Sequence, residues 1–231
     1  MIRFTLLTYM LLNVLFVSGQ DAEQVVRKMQ EYYQKESYSL QMEYKTYATY
    51  SAKDAYLKYD AFLLKSKNDA YYKIHNTEII CIDTDVIKIA HDQKMVQYSQ
   101  VDKTALDQIT SPLDIEKILP YFVKKEVKET SEGFHCTFYT SQITQLPYAK
   151  LELVIDKTRY ALKKQVLYFN QVKKYKTTNG EIKTDYPRLE IVCFPIDTRI
   201  DKQKVELSSY LQKRNDKVVL SKKYAQYQLV N

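Results

Sequence analysis

The stretch "TEIICIDTDVIKIAHDQKMVQYS", residues 77–99, gathers a cysteine, a glutamate, three aspartates and a histidine into one short segment. Such a mixture is either a catalytic or metal site or the framework of a sheet, and the alternation decides between them. Ile80 and Ile82 share one side while Ile79 and Cys81 share the other, which predicts a strand buried on both faces. Asp83, Thr84 and Asp85 then form a connection whose Asp side chains can cap a turning backbone, and His91 with Asp92 makes the next. A "DTD" triplet lacks the further oxygen ligands and the downstream Glu at fixed spacing that a calcium loop needs. The segment therefore reads as two turns bracketing the strand "VIKIA", part of an antiparallel meander.

The same two-residue period extends upstream. In "YSLQMEYKTY", Tyr38, Leu40, Met42 and Tyr44 alternate with polar residues, and in "AYLKYDAFLLK" Leu57, Tyr59, Ala61 and Leu63 fall on one side. "AYYKI", "EIICI", "VIKIA" and "KMVQYS" follow, so short and so close together that they form hairpins rather than βαβ units. Before them "DAEQVVRKMQEYYQKES" offers Asp21 as an N-cap, with Val25, Met29, Tyr32 and Tyr33 at helical spacing. The meander is interrupted by "TSPLDIEKILPYF", in which Ser111 can cap, Pro112 suits the first helical position and Pro120 stops growth. Leu113, Ile115, Ile118 and Leu119 make that short helix apolar enough to cover something. Strands resume with "GFHCTFYTSQ", "AKLELVID", "ALKKQVLYFNQ" and "RLEIVCFPID", and Asn179-Gly180 marks a hairpin turn. "KVELSSYLQKR" suggests a short helix near the end and "YAQYQLVN" a last strand.

At the start, Arg3 precedes the apolar run "FTLLTYMLLNVLFV", which ends at "SGQD". That is the pattern of a cleavable secretory signal peptide over residues 1–19, and the run is shorter than the roughly 20 residues a bilayer span needs. Residues 20–231 then suffice for one domain. The 22 Tyr favour strands and half-wet surfaces, while the formal charge of +7 falls to +6 when Arg3 is removed. Basic and acidic residues are interspersed, which suits a solvated exterior better than a nucleic-acid footprint, and export points the same way.

The sequence of 231 residues has three glycines and three histidines. It contains no G-x-S-x-G elbow, H-E-x-x-H, P-loop or dinucleotide pattern. His75, His91 and His135 share no ligand spacing. Cys81, Cys136 and Cys193 show no CxxC spacing; they are either small buried hydrophobes or include one disulfide, Cys136 to Cys193, if their strands are neighbours. No cofactor, metal or catalytic residue is expected.

The order of these segments resembles that of the LolA-like periplasmic carriers of outer-membrane lipoproteins. The resemblance rests on the exported "D" plus helix, then "YSLQMEYK", "YDAFLLKSKNDAYYKI", "EIICIDTDVIKIAHDQKMVQYS" and "SPLDIEKIL", and covers about residues 20–195. It implies an α+β fold: a single curved antiparallel sheet forming an incomplete, half-open β-barrel, with an N-terminal helix and a short helical lid. It also implies a non-enzymatic carrier, a monomer that binds the acyl chains of a lipoprotein or lipid and makes transient contact with membrane-bound donors and acceptors. Leu40, Met42, Tyr44, Leu57, Tyr59, Leu63, Tyr72 and Ile74 would line the hollow; Leu113, Ile115, Ile118 and Leu119 would form the lid. An envelope sensor or scaffold of the same fold, with a protein or glycolipid ligand, is the alternative.

Three features depart from the family pattern. Ser66 and Lys67 stand where an Arg-Pro pair would latch the lid, Ile87, Lys88 and Ile89 replace the aromatic residues expected after the "DTD" turn, and the tail from Pro195 to Asn231 matches nothing in the pattern.

Overall fold

The computed structural model describes residues 21–101, 113–177, 179–214 and 217–230. The expected signal peptide lies outside them, as do Ser111 and Pro112. One α-helix, α1 (Ala22–Tyr33), opens the fold, and the Asp21 carboxylate accepts a hydrogen bond from the Glu23 N–H as its cap. Ala22, Val25, Val26, Met29 and Tyr33 are its buried residues, the stripe that helical periodicity predicts.

Six strands follow in order: β1 (Ser37–Tyr47), β2 (Leu57–Ser66), β3 (Asp69–Ile74), β4 (Thr77–Ile82), β5 (Asp85–Ala90) and β6 (Met95–Gln100). The quoted stretch is thus three strands and two turns, as its alternation predicts. With so few glycines, the turns between β2 and β6 place Lys67, His75, Asp83 and Lys94 in the left-handed region at φ of 49–55°. That conformation is costly for residues with a Cβ and least so for Asp, Asn and His.

After the apolar segment come β7 (Phe122–Glu129), β8 (Phe134–Thr140), β9 (Tyr148–Ile155), β10 (Leu162–Phe169), the β11 (Lys173–Lys176) and β12 (Ile182–Asp185) hairpin, and β13 (Arg188–Cys193). β7 has no counterpart in the sequence reading. Its "KKEVKE" run carries charge on both faces, which suits an edge strand, since lysines there discourage pairing with other chains. Gly133, at the turn into β8, has φ +143°, and a Cβ there would meet the Ile155 carbonyl oxygen at 2.1 Å.

Among the described residues twelve strands form one sheet, in the order β16-β6-β5-β4-β3-β2-β1-β13-β10-β9-β8-β7, where β16 (Gln228–Val230) lies parallel to β6. The two outermost strands do not pair, so the sheet is an unclosed barrel with an N-terminal helix. Separate hairpins are formed by β11 with β12 and by β14 (Leu211–Arg214) with β15 (Lys217–Leu220).

Two cores hold the sheet, one on each face. The inner core joins α1 to Leu40, Met42, Tyr44, Ala61 and Leu63, to Leu113, Ile115 and Leu119, and to the inward residues of β8, β9 and β13. The outer core packs Leu64, Tyr71, Ile80, Ile87, Ile89 and Val96 against Tyr210, Leu211 and Tyr224 of the tail. The tail that sequence left unplaced is therefore structural. Instead of the expected short helix it forms 3-10 turns at Lys202–Val205 and Leu207–Ser209 ahead of β14, and a further one at Lys222–Tyr224. The last strand is found where sequence places it, shortened to three residues.

The short apolar helix is also tighter than an α-helix: it is a 3-10 helix over Glu116–Tyr121 with Pro120 inside it. Pro120 has no N–H to donate, so the helix cannot extend through it and stays a short 3-10 segment. Cys136 on β8 and Cys193 on β13 are separated by β9 and β10, and all three cysteines are free. The disulfide alternative required neighbouring strands and is set aside.

Candidate functional site

The register sorts the eight expected lining residues. Leu63 opposes Leu40 and Tyr72, Ala61 opposes Met42 and Ile74, and Tyr59 opposes Tyr44, so all share the inner face. Leu57, two residues before Tyr59, is on the same side but stands at the rim, 47% exposed. Leu40, Met42, Tyr44 and Leu63 are buried within the inner core, and Tyr59, Tyr72 and Ile74 are half-buried against it. The expected lid residues are in the same core: Leu113, Ile115 and Leu119 buried, Ile118 partly so. The Gln30 side-chain amide donates to the Leu113 carbonyl and ties the segment to α1.

The same face continues on β4 to β6, where the sequence reading named no candidate. Tyr72 opposes Ile79, Ala70 opposes Cys81, Cys81 opposes Val86, and Ala90 opposes Met95, so Ile79, Cys81, Val86, Ala90 and Met95 extend the inner face. All five are half-buried, and among the described residues they belong to neither core. The strand expected to be buried on both sides is therefore asymmetric. Ile80, Ile87 and Ile89 are sealed under the tail, while Ile79 and Cys81 are partly open. Ile87 and Ile89 lie on the outer face.

Tyrosines give this face its polar points. The Tyr44 and Tyr59 rings stack at 5.5 Å, and the Tyr44 and Tyr72 hydroxyls are 2.9 Å apart. Burial pushes the Tyr44 and Tyr72 phenols above their ordinary pKa, so both hydroxyls stay neutral. Gln165 of β10 opposes Ile191 and Leu153 and is buried on the same face. Its Oε1 has no hydrogen-bond partner among the described residues. Beside Tyr59 lies a cleft of about 400 Å³ lined by Thr46, Tyr56, Pro147, Phe169, Lys173 and Leu189, within the roughly 300–1,000 Å³ of small-molecule sites. A second cleft of about 400 Å³, bordered by Gln41, Asp60, Phe62, Lys73 and Phe194, lies on the outer face.

On the outer face, polar groups fasten the tail. Asp85, expected in a turn, is the first residue of β5, buried, and accepts from Lys213 Nζ at 2.7 Å, the Tyr98 hydroxyl at 2.8 Å and Gln100 at 3.2 Å. Burial alone would raise its pKa, but these three donors together hold it below the usual carboxylate value. His91 lies between the Glu78 carboxylate and the Tyr227 hydroxyl, 2.9 Å from each. The "DTD" and "HD" residues that look chemical in the sequence thus serve turns and the tail. His75 and His135 lie apart, one in the β3–β4 turn and one on β8. Among the described residues no three metal-ligating side chains converge.

No family model and no curated protein matches the sequence. Solved structures do align with most of the chain. A LolA superfamily protein from Nitrosomonas europaea covers 81% of this chain and 98% of its own, at 12% identity and TM-score 0.35. A DUF1329 family protein from Desulfovibrio piger covers 81% of this chain and 97% of its own, at 10% identity and TM-score 0.41. An uncharacterized conserved protein from Thermus thermophilus covers 80% and 93%, at 9% identity and TM-score 0.45.

Proposed function

We propose that the protein is an exported, non-enzymatic carrier that holds an acyl chain of a lipid or lipoprotein against the inner face of its open sheet. The reading is carried by one observation: the stripe of Ile79, Cys81, Val86, Ala90 and Met95 is half-exposed and joins neither core, with Lys88 and Gln97 exposed along it, although Ile80, Ile87, Ile89 and Val96 on the opposite side of the same strands are fully buried. Each buried methylene of a chain laid there contributes about 0.8 kcal/mol, enough for reversible shielding. Neutral tyrosine hydroxyls can donate to an ester or amide carbonyl of the cargo, and Gln165 Oε1 can accept from an amide N–H. Tyr59, Tyr72 and Ile74 would touch the chain with the stripe, and Leu57 would meet it at the mouth. Leu40, Met42, Tyr44 and Leu63 would form the floor, under α1 and the 113–121 segment.

In this reading the chain is a monomer of the periplasm that takes cargo from one membrane and gives it to another. Extraction of protein purified from its native compartment, followed by lipid mass spectrometry, tests it. Stoichiometric acylated material is the expected result. Protein free of acyl groups that also fails to bind a fluorescent fatty acid would overturn the reading.

A further inference from the structure

The exposed apolar side chains are not spread over the molecule. Pairing of Tyr47 with Arg188, Phe169 with Tyr148 and Phe122 with Thr140 sets one end of the sheet. Nine of the eleven exposed large apolar residues among those described lie in the strand termini and loops of that end; the exceptions are Phe194 and Val219. The most open are Ile143, 94% exposed in the β8–β9 loop, and Ile182, 74% exposed on the β11–β12 hairpin. The turns at the opposite end are polar, Lys67-Asn68, Asp83-Thr84 and Ser131-Glu132, as are His75-Asn76 and residues 91–94 at this end, so the apolar tips gather on the β1–β2, β8–β9 and β10–β13 connections and the start of β7.

This end is a stitched surface, not three independent loops. Arg188 donates to the Tyr50 and Ala52 carbonyls, the Tyr50 hydroxyl donates to the Phe169 carbonyl, and the Asn170 amide donates to the Leu146 carbonyl at 2.9 Å. The Tyr50 and Tyr186 rings lie 6.0 Å apart. The hairpin adds Lys173, Lys174, Lys176 and Lys183 against Glu181 and Asp185.

We infer that this rim docks on an anionic lipid bilayer. Separate aliphatic tips, Ile143 among uncharged polar residues and Val172 and Ile182 beside lysines, suit the headgroup boundary, where apolar side chains sink in and cations meet anionic lipid. A protein interface would instead show a continuous apolar centre depleted in lysine. The inference goes beyond the carrier reading, since it concerns the outside of the rim and needs no cargo.

Cosedimentation with empty vesicles tests it. The parent is expected to bind vesicles of phosphatidylcholine with phosphatidylglycerol, more weakly as salt rises, and not vesicles of phosphatidylcholine alone. Ile143→Asp with Ile182→Asp should weaken partitioning about tenfold or more, and Lys173→Glu with Lys174→Glu and Lys176→Glu should weaken it as well. Val219→Asp, exposed on the tail, should bind as the parent does. Equal binding to both vesicle types, or rim variants that bind like the parent, would overturn the inference. Titration of the same variants with a soluble fluorescent fatty acid reads the hollow separately, so loss of docking is distinguished from loss of cargo binding.

Discussion

The strands β4 to β6 have one sequence and two environments. Outward, Ile80, Ile87, Ile89 and Val96 are fully buried beneath the tail, and Asp85–Lys213 and Glu78–His91–Tyr227 fasten it. Inward, Ile79, Cys81, Val86, Ala90 and Met95 are half-open, with Lys88 and Gln97 exposed among them. An apolar face is not by itself a core; what packs on it decides whether it stores stability or is available to a ligand.

The largest expected effect breaks the sealed side. Tyr224→Ala removes a fully buried ring of the outer core and should cost about 3–5 kcal/mol in urea unfolding. Met95→Ala, on the open side, should cost about 1 kcal/mol or less while weakening fatty-acid binding. Equal costs for the two would erase the distinction between the faces.

The fastening should also be acid-sensitive. The Asp85 pKa is held below its unfolded value, so its contribution is present above the ordinary carboxylate pKa and lost as pH falls through the lowered one. Below pH of about 4, hydrogen exchange should quicken in β14 and β15 before the inner core opens. Lys213→Met should produce the same loosening at neutral pH, on the order of 1 kcal/mol.

A smaller effect has the opposite sign. The Tyr224 hydroxyl is buried without a partner among the described residues, so Tyr224→Phe should raise stability by about 1 kcal/mol, visible as a higher urea midpoint. A loss on that substitution would mean that the hydroxyl is satisfied.

These contrasts also mark how far sequence reading reaches here. Hairpins from Tyr38 to Tyr98 were legible because alternation and turn residues recur every few positions, and Asp21 announced α1. The inner parity of Leu40, Met42, Tyr59 and Tyr72 followed from the same period. Apart from its last strand the tail was not legible: Val205, Leu207 and Tyr224 lie in short 3-10 turns, whose apolar residues keep neither period. In "VIKIA" only Lys88 marks the side of Val86 and Ala90 as the open one, and nothing in "EIICIDTDVIKIA" says what covers the other. Its aspartates have turn and fastening roles, so Asp83→Asn, at φ 52° where asparagine is well tolerated, should change stability by less than about 0.5 kcal/mol and leave fatty-acid binding unchanged.

Cys81 reports directly on the open side. It sits half-buried in the stripe, while Cys136 and Cys193 are buried and their thiols pushed up to about 12. Burial, with Asp69 nearby, raises the Cys81 thiol as well, so alkylation should be slow at neutral pH and quicken in mild alkali. The rate of Cys81 alkylation, followed by mass spectrometry with and without saturating fatty acid, is the decisive measurement. The account predicts that Cys81 reacts first among the three and that bound fatty acid protects it. A Cys81 rate unchanged by fatty acid that is demonstrably bound would place the cargo elsewhere and contradict the account.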